Sequence, residues 1–317
     1  MSTQQTDYDF ENETRRIARA KWPSAQYSGA QMLEGRERDG IFETEDSIHF
    51  IEATVSGGAG KAREDTKKLF RAVADHNRSG SLKVARGWFI TKNEPTADQR
   101  KEVQEHGKGQ VIAISYSQFQ QSLVDVRAYF AAREQHIFGS VQDFSTDAKT
   151  PAVPFVEIGF SDTASGEILY VRDIVNGLIS AKNFALIGQY GAGKSMSLRE
   201  VYFLLKDKYV RNATSKFPIY INLREHSGQR DPVELLERHA RSIGFESPTS
   251  LIRAWRAGFV VLLVDGFDEV TSLGVQGTWK KLKDLRMRSL EGIRRLIRDS
   301  GELGVVVAGE QLFRNAG

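Results

Sequence analysis

The residues with the clearest chemistry form one glycine-rich segment, which ends in a lysine and a serine. It fits the pattern G-x-x-x-x-G-K-[ST], and its residues are Gly188, Gln189, Tyr190, Gly191, Ala192, Gly193, Lys194 and Ser195. Glycines let the backbone curl so that several N–H groups point at phosphate oxygens, and a following helix adds its positive end. In such a loop the lysine reaches the β- and γ-phosphates and the serine hydroxyl binds Mg²⁺. The segment therefore predicts a site for ATP or GTP with magnesium.

A second chemical segment begins where an apolar run, 259–264, ends on Asp265. A carboxylate at the C-terminal end of a strand is well placed to hold magnesium and its water shell. Gly266 leaves room beside this carboxylate for a second acid. We therefore predict that Asp268 orients or activates the attacking water, with its neighbour Glu269 as the second choice.

Four apolar runs in the second half of the chain are the strands that must position these residues. The runs are 184–187, 218–223, 259–264 and 304–308, and a helix is predicted over 194–206. Continuous apolar runs are typical of parallel strands that helices cover on both faces. The second half is therefore predicted to be an α/β domain built on a parallel sheet.

Two stretches of this half resemble the NACHT family of signal-transducing P-loop ATPases with numerous domains. Residues 264–270, VDGFDEV, are similar to the D-G-[LF]-D-E signature of that family. Residues 217–225, FPIYINLRE, resemble the strand that these proteins place between their two nucleotide motifs. The resemblance covers roughly 156–313. It implies that nucleotide binding and hydrolysis switch the protein between a resting monomer and an active homo-oligomer.

The chain departs from the NACHT pattern at its C-terminal end. After the last strand the family usually carries an arginine that senses the γ-phosphate, whereas Glu310 stands at that position and Arg314 has a different spacing. An acid repels phosphate, so this departure affects the expected hydrolysis and switching more than binding. The family also continues with a helical lid, a winged helix and a sensor region. We therefore expect an incomplete NTPase domain, with the sensor region or a partner chain missing.

Two acids in the first half are spaced so that they can meet at one spot. Asp39 ends one strand of a predicted hairpin, and Glu52 lies on the next strand, 48–55. Side chains alternate along a strand, so Glu52 and Thr54 project from the same face. Asp39 and Glu52 are therefore predicted to bind a divalent metal that activates water and steadies the charge on a scissile phosphate. The alternative is a hairpin with solvated acids.

This layout resembles the PD-(D/E)XK restriction-endonuclease-like fold, in which an Asp is followed by an acid, any residue and a Lys on one strand face. Thr54 occupies the lysine position in this chain. Some members of the fold supply the lysine from the following helix. The resemblance implies that Lys61 does so here, with Lys67 and Lys68 as alternatives.

The remaining elements of the first half also alternate between helix and strand. Helices are predicted over 10–22, 61–76 and 118–134, and short strands over 48–55, 87–91 and 111–115. Such mixing predicts an α/β layer fold. Glu11 or Glu13 on the first helix is a candidate for a further metal contact. Asp125, Tyr129 and Arg133 share one face of the last helix and are predicted to be exposed.

A polar, proline-flanked stretch near 145–154 predicts the domain boundary. We expect a restriction-endonuclease-like domain over 1–145, a linker over 146–154 and a NACHT P-loop NTPase domain over 155–317. No apolar run is long enough to cross a bilayer and no secretory signal is present, so no membrane partner is expected. With no cysteine in 317 residues, disulfides and cysteine-ligated zinc are excluded and a cytoplasmic location is expected.

These patterns predict a metal-dependent DNA nuclease that a nucleotide regulates, of a type known in bacterial anti-phage defence. Lys and Arg nearly balance Asp and Glu in residues 1–150, which argues against tight constitutive DNA binding. An oligomer compensates for weak single sites by raising their effective concentration on one DNA. Two alternatives remain open. One is an ATP-binding switch with a catalytically inactive nuclease-like adaptor, and the other is an ATPase whose N-terminal domain only recruits DNA.

Overall fold

The computed structural model describes residues 3–23, 31–33, 36–138, 155–226, 229, 231–267, 291–292, 294–299 and 303–309. The chain divides into two compact units, Met1–Val124 and Asp125–Gly317. The first unit thus ends about 20 residues before the boundary predicted at 145, and the predicted linker, 146–154, lies outside the described residues. No helix within the described ranges is long and apolar enough to span a membrane.

The N-terminal unit is built on a mixed four-stranded sheet. Its helices are α1 (Thr3–Lys21), α2 (Ala59–Arg78), α3 (Ala97–Gly107) and α4 (Tyr116–Gln121). Its strands are β1 (Gln31–Leu33), β2 (Arg36–Arg38), β3 (Gly40–Glu43), β4 (Ser47–Thr54), β5 (Val84–Thr91) and β6 (Val111–Ser115). The sheet has the order β3-β4-β5-β6, with β3 antiparallel to β4 and the other pairs parallel. β1 and β2 form a separate antiparallel pair.

Both faces of this sheet are covered. On one face, Phe50 and Phe89 belong to an apolar core with Leu69 of α2 and residues of α3. On the other face, the ring of His49 stacks on Trp22 with centroids 4.0 Å apart. Alternation along β4 places Glu52 on the α2 face, next to Phe50. Glu52 is therefore carried into the interior by a strand that is buried on both sides.

The C-terminal unit is built on a parallel sheet. Its helices are α5 (Val126–Glu134), α6 (Val171–Ile179), α7 (Lys194–Val210), α8 (Pro232–Ser242) and α9 (Pro248–Arg256). Its strands are β7 (Phe160–Ser161), β8 (Ile168–Leu169), β9 (Asn183–Ile187), β10 (Phe217–Asn222), β11 (Val260–Asp265) and β12 (Gly304–Gly309). The four-stranded sheet has the order β10-β11-β12-β9 with every pair parallel, and β7 and β8 form a small hairpin. Every residue of β10 and β11 is buried. The predicted α/β class with a parallel sheet is confirmed.

The helix predicted over 118–134 is broken into α4 and α5. The carboxylate of Asp125 caps the N-terminus of α5, and capping residues start new helices because they satisfy free N–H groups. The prediction that Tyr129 and Arg133 are exposed is wrong, because they are 0% and 2% exposed. Tyr129 packs edge-on against Phe217 of β10, with ring centroids 5.9 Å apart. Therefore α5 belongs to the C-terminal unit.

Candidate functional site

The glycine-rich segment forms a tight loop between β9 and α7. Gly191 and Gly193 have φ angles of +78° and +82°, a region that residues with a Cβ adopt only with strain. The Nζ of Lys194 lies inside the loop and donates to the carbonyls of its first two residues, at 2.7 and 2.9 Å. Gly193 caps α7 without a side chain, so the first N–H groups of the helix face the loop. Lysine, backbone N–H groups and helix end together make an anion-binding site.

Backbone hydrogen bonds join this loop to the ends of the neighbouring strands. The N–H of Gly188 donates to the carbonyl of Gly309 in β12 at 3.3 Å. The N–H of Phe267, just after β11, donates to the carbonyl of Ala308 at 3.2 Å. The C-terminal ends of β9, β12 and β11 thus lie at one edge of the sheet, where ligands of open α/β sheets bind. Asp265, the last residue of β11, shares this edge with the loop.

The side chain of Asp265 is oriented by two donors. The residue is 4% exposed. The N–H of Gly266 donates to Oδ1 at 2.9 Å, and the hydroxyl of Tyr220 donates to Oδ2 at 2.5 Å. Burial and the nearby charge of Asp265 raise the pKa of Tyr220 well above its ordinary value, so the hydroxyl keeps its proton at neutral pH. Among the described residues, no lysine, arginine or histidine forms an ion pair with Asp265.

Asp265 and the hydroxyl of Ser195 fit a magnesium ion. Both offer oxygen atoms, the ligand type that Mg²⁺ prefers, and the Asp265 carboxylate retains lone pairs beyond its two hydrogen bonds. Within the loop, Tyr190 is 84% exposed. Asp268, Glu269 and Glu310 lie outside the described residues.

A cleft of about 1140 Å³ opens beside the phosphate-binding loop. The hairpin of β7 and β8, helix α6 and strand β9 line it, and Gly188, Ala192 and Lys194 of the loop form one end. Its walls combine apolar side chains, such as Ile174, with polar ones, such as Asp173. Pockets that mix apolar walls with a few polar groups are typical of small-molecule sites.

In the N-terminal unit, charged residues of β4, of α2 and of the turn between β2 and β3 form a compact group that we call the acid–lysine cluster. Its members are Asp39, Glu52, Lys61, Asp65 and Lys68. The Nζ of Lys68 lies 2.7 Å from Oε2 of Glu52, and the Nζ of Lys61 lies 3.0 Å from Oδ1 of Asp65. Oδ2 of Asp39 accepts the N–H of Ala53, the neighbour of Glu52, at 2.7 Å. The two acids predicted from the sequence are therefore brought together at one end of β4.

Burial dominates the electrostatics of the acid–lysine cluster. Desolvation and the negative charge of Asp39 raise the pKa of Glu52 to about 8, although the ion pair with Lys68 acts in the opposite direction. Desolvation also raises the pKa of Asp39, against the hydrogen bond from Ala53. Burial raises the pKa of Asp65 as well. Buried acids with raised pKa values concentrate at functional sites and are stabilised as anions by a bound cation.

The structure distinguishes the three lysines weighed from the sequence. Lys68 contacts Glu52, whereas Lys61 contacts Asp65 and keeps 49% of its side chain exposed. Burial lowers the pKa of Lys61, but the contact with Asp65 and the nearby charges of Asp39 and Glu52 outweigh burial, so the pKa is raised. Lys67 is exposed. Lys68, rather than the favoured Lys61, is therefore the lysine that directly faces a predicted metal ligand.

Two other residues considered for the nuclease site, Thr54 and Glu11, make contacts with residues close to them in the chain. Thr54, at the lysine position of the strand, is buried, and its hydroxyl accepts the N–H of Ser56. Glu11 lies 3.6 Å from Arg15 in an ion pair within α1. Within the described part of the chain, the one group of three acid or histidine side chains with ligand atoms inside 4.8 Å is Glu102, Glu105 and His106, on α3. Asp39, Glu52 and Asp65 do not converge that closely.

Sequence reasoning missed two residues of these sites. Asp65 is 3% exposed and lies between Lys61 and Lys68 on one face of α2, and its spacing of four and three residues from them was the available signal. Tyr220 lies inside an apolar strand, where a tyrosine is indistinguishable from a core residue until its neighbour is known.

Comparison with protein families supports the description of the nucleotide site in the C-terminal unit. No curated protein sequence matches the chain. Residues 182–300 match the family model described as the NACHT domain. The matched range contains the loop Gly188–Ser195, the strand β11 and Asp265. This part of the chain is thus similar to NACHT-type P-loop NTPase domains, and the match supports a nucleotide-binding role for it.

Proposed function

We propose that the chain is a metal-dependent DNA nuclease whose assembly is controlled by nucleotide binding to its NACHT domain. The observation that carries the nuclease proposal is the acid–lysine cluster, in which the buried Glu52 and the half-buried Asp39, both with raised pKa values, lie beside a lysine. We further propose that the protein acts in the cytoplasm in defence against phage, as the resemblance implies, with DNA as its substrate.

In the proposed nuclease site, Asp39 and Glu52 hold a divalent cation. Such a cation, when bound, lowers the pKa of a water molecule and neutralises charge on the scissile phosphate. The Asp39 carboxylate is held in place by the N–H of Ala53, and Lys68 lies where it orients Glu52. We assign Lys68 the second task of stabilising charge on the phosphate, the role that the resemblance gave to Lys61.

In the proposed nucleotide site, Lys194 exchanges its contacts with the loop carbonyls for contacts with the β- and γ-phosphates. Ser195 and Asp265 hold Mg²⁺, which when bound neutralises charge between those phosphates. Asp268 orients the attacking water, with Glu269 as the alternative. The cleft between α6, β9 and the β7–β8 hairpin is the proposed position of the nucleoside, because it opens directly beside the loop.

In the proposed regulation, nucleotide binding controls the nuclease by controlling the assembly of the protein. NACHT-type domains are expected to switch between a resting monomer and an active homo-oligomer, and weak nuclease sites gain effective concentration when several act on one DNA. Nucleotide binding is therefore expected to increase cleavage without contributing a group to the nuclease site.

Plasmid cleavage by the full chain with Mg²⁺ or Mn²⁺, with and without ATP, tests the proposal. We expect wild type to cut, Glu52→Ala to abolish cutting and Lys194→Ala to remove only the dependence on ATP. Glu64→Ala is the matched control, because Glu64 is an exposed acid on α2. Cutting that survives in Glu52→Ala and Asp39→Ala would overturn the assignment of the nuclease site.

An ATP-binding switch with an inactive nuclease-like adaptor is the second candidate. The observation that favours it is Thr54, which fills the lysine position and binds the N–H of Ser56 instead of substrate. This candidate predicts wild-type ATP binding with no cleavage under any metal condition. A third candidate, an ATPase whose N-terminal unit recruits DNA, predicts DNA binding without cleavage in the same assay.

A further inference from the structure

Tyr220 connects the proposed magnesium carboxylate to the interior of the C-terminal unit. Tyr220 lies on β10 and Asp265 on the neighbouring strand β11, and the tyrosine hydroxyl donates to Oδ2 of the aspartate. Tyr220 is 0% exposed, so water cannot replace this donor. The hydrogen bond therefore fixes the rotation of a carboxylate that has no ion-pair partner among the described residues.

An arginine of α5 stacks on the aromatic ring of Tyr220. The guanidinium carbon of Arg133 lies 4.7 Å from the centroid of the Tyr220 ring and 4.2 Å from that of Phe138. Arg133 is 2% exposed, and its two terminal nitrogens donate to the carbonyls of His136 and Ile137 at 3.0 Å each. The cation thus ties the residues that follow α5 back to that helix while it stacks on the tyrosine.

A second contact joins α5 to α7. Glu134, beside Arg133, forms an ion pair with Lys206 of α7, the helix whose N-terminus forms part of the phosphate-binding loop. Helix α5 therefore contacts the helix that begins at this loop, through Lys206, and the tyrosine that orients Asp265, through Arg133. Its first residue, Val126, follows the last residue of the N-terminal unit, Val124, by two positions.

We propose that Tyr220 is a positioning residue for Asp265, and that Arg133 transmits the state of this carboxylate to α5. The proposal rests on the proposed function in one respect, because it assumes that Asp265 holds Mg²⁺. Outer hydrogen bonds orient metal-binding carboxylates and set metal affinity. A bound cation takes the lone pairs that the two hydrogen bonds of Asp265 leave free, so metal binding and the Tyr220 hydrogen bond favour each other. The tyrosine ring is then held more firmly against Arg133, and the contacts of Arg133 with the turn after α5 tighten.

This link gives the nucleotide domain a way to act on the segment next to the nuclease unit. A ligand shifts a conformational equilibrium only as far as it binds the two states differently. The Tyr220 hydrogen bond supplies such a difference, because it holds the carboxylate in the orientation that binds the metal. Helix α5 is thus expected to respond to Mg²⁺ with nucleotide and not to nucleotide alone.

The test is ATP binding to the full chain during a Mg²⁺ titration, with a parallel measurement in EDTA. Tyr220→Phe removes only the hydroxyl. We expect it to raise the Mg²⁺ concentration at half-maximal effect about tenfold, while the affinity for ATP in EDTA stays within about twofold. Tyr209→Phe is the matched control, because Tyr209 is also a tyrosine in contact with α5, packing edge-on against Phe130, but it lies on α7 and makes no hydrogen bond to Asp265. It should behave as wild type in both measurements.

Hydrogen exchange of the amides at the end of α5 supplies the second measurement. Wild type with ATP should exchange more slowly there when Mg²⁺ is added, because the contacts of Arg133 with the turn after α5 tighten. Tyr220→Phe and Arg133→Lys should show no Mg²⁺-dependent change. Arg133→Lys retains the buried charge but not the planar group that stacks on both rings, and it should keep the Mg²⁺ midpoint of wild type.

The outcomes separate the inference from the proposed function. If Asp265→Asn shifts the Mg²⁺ midpoint and Tyr220→Phe does not, Tyr220 does not position the carboxylate. This result overturns the inference and leaves the proposed function standing. If Asp265→Asn also leaves the midpoint unchanged, the proposed magnesium site is wrong and the inference falls with it. An α5 response to Mg²⁺ that survives in both Tyr220→Phe and Arg133→Lys would overturn the transmission to α5.

Discussion

The acid–lysine cluster and the phosphate-binding loop handle charge in opposite ways. The cluster buries Glu52 and Asp65, half-buries Asp39, and offsets the desolvation of Glu52 and Asp65 with lysines that are already in contact. The loop is open, and its positive charge comes from one lysine, backbone N–H groups and a helix end. Buried charges are costly unless they are paired, whereas backbone dipoles at a surface carry little cost. The cluster is therefore sensitive to protonation, and the loop to backbone geometry.

The two regions also differ in how far along the chain their residues are spread. All loop residues fall within Gly188–Ser195, whereas the cluster joins Asp39 to α2 through a strand that lies between them. A contiguous loop is specified by local conformation, but a dispersed cluster depends on how helices and strands pack. The following changes test this contrast, from the largest expected effect to the smallest.

Replacing the lysines of α2 one at a time is expected to have the largest effect. Lys68→Ala should lower plasmid cleavage by about 100-fold or more, because it removes the charge beside Glu52. Lys61→Ala should lower it by less than about tenfold, because Lys61 pairs with Asp65. Lys67→Ala, an exposed lysine of the same helix, is the control. A larger loss in Lys61→Ala than in Lys68→Ala would restore Lys61 as the active lysine.

Replacing the loop lysine is the corresponding change in the other region. Lys194→Ala should weaken ATP binding by about 10- to 100-fold, since a charge-assisted contact contributes roughly 1.5–3 kcal/mol. The loop should otherwise keep its shape, because Lys194 contacts only loop carbonyls there. Lys208→Ala near the other end of α7 is the control. Isothermal calorimetry measures both, and equal affinities for Lys194→Ala and wild type would contradict the site.

The contrast explains how much could be predicted from the sequence. The loop, its flanking strand and helix, and the parallel sheet were predicted because each depends on neighbouring residues. The choice among Lys61, Lys67 and Lys68 could not be made. Lys61 and Lys68 are seven residues apart on one helix face, and only the packed position of α2 shows which of them reaches Glu52.

The burial of α5 is a second case in which distant packing decides. Tyr129 and Arg133 have the spacing of an exposed helix face, and nothing nearby in the chain indicates otherwise. Their partners, Phe217 and Tyr220, lie on β10. Local charge pattern was therefore a poor guide, since an aromatic surface elsewhere in the chain covers both residues.

A change of pH should affect the acid–lysine cluster more than the loop. The pKa of Glu52 in the folded protein, about 8, lies above its ordinary value of 4.5. Between these values the folded state binds more protons than the unfolded state, so the free energy of unfolding falls as pH rises. One pKa unit corresponds to about 1.4 kcal/mol, and we expect a loss on the order of 1–3 kcal/mol between pH 5 and pH 8.

Glu52→Gln should remove most of this pH dependence, because the amide does not titrate. Urea denaturation of the full chain at pH 5 and pH 8, followed by tryptophan fluorescence, measures the effect. Glu64→Gln on the exposed face of α2 should retain the wild-type slope. An equal slope in Glu52→Gln and wild type would mean that Glu52 is already ionised at neutral pH in the folded protein.

The smallest expected effect concerns the backbone geometry of the loop. Gly191 and Gly244 have similar φ angles, +78° and +74°, and a Cβ added at either position meets no atom within 4 Å. Alanine at either position therefore suffers only the left-handed backbone strain, which lowers the free energy of unfolding by about 1–2 kcal/mol. Gly244 lies after α8, away from the phosphate-binding loop.

The two substitutions should consequently have similar effects on stability but different effects on binding. Gly191→Ala should weaken ATP binding by roughly fivefold, because about 1 kcal/mol of strain in the loop opposes the conformation that presents N–H groups to phosphate. Gly244→Ala should leave ATP affinity unchanged. If both variants bind ATP as wild type does, the phosphate contacts do not depend on the curl at Gly191, and the lysine and the helix end carry the binding without it.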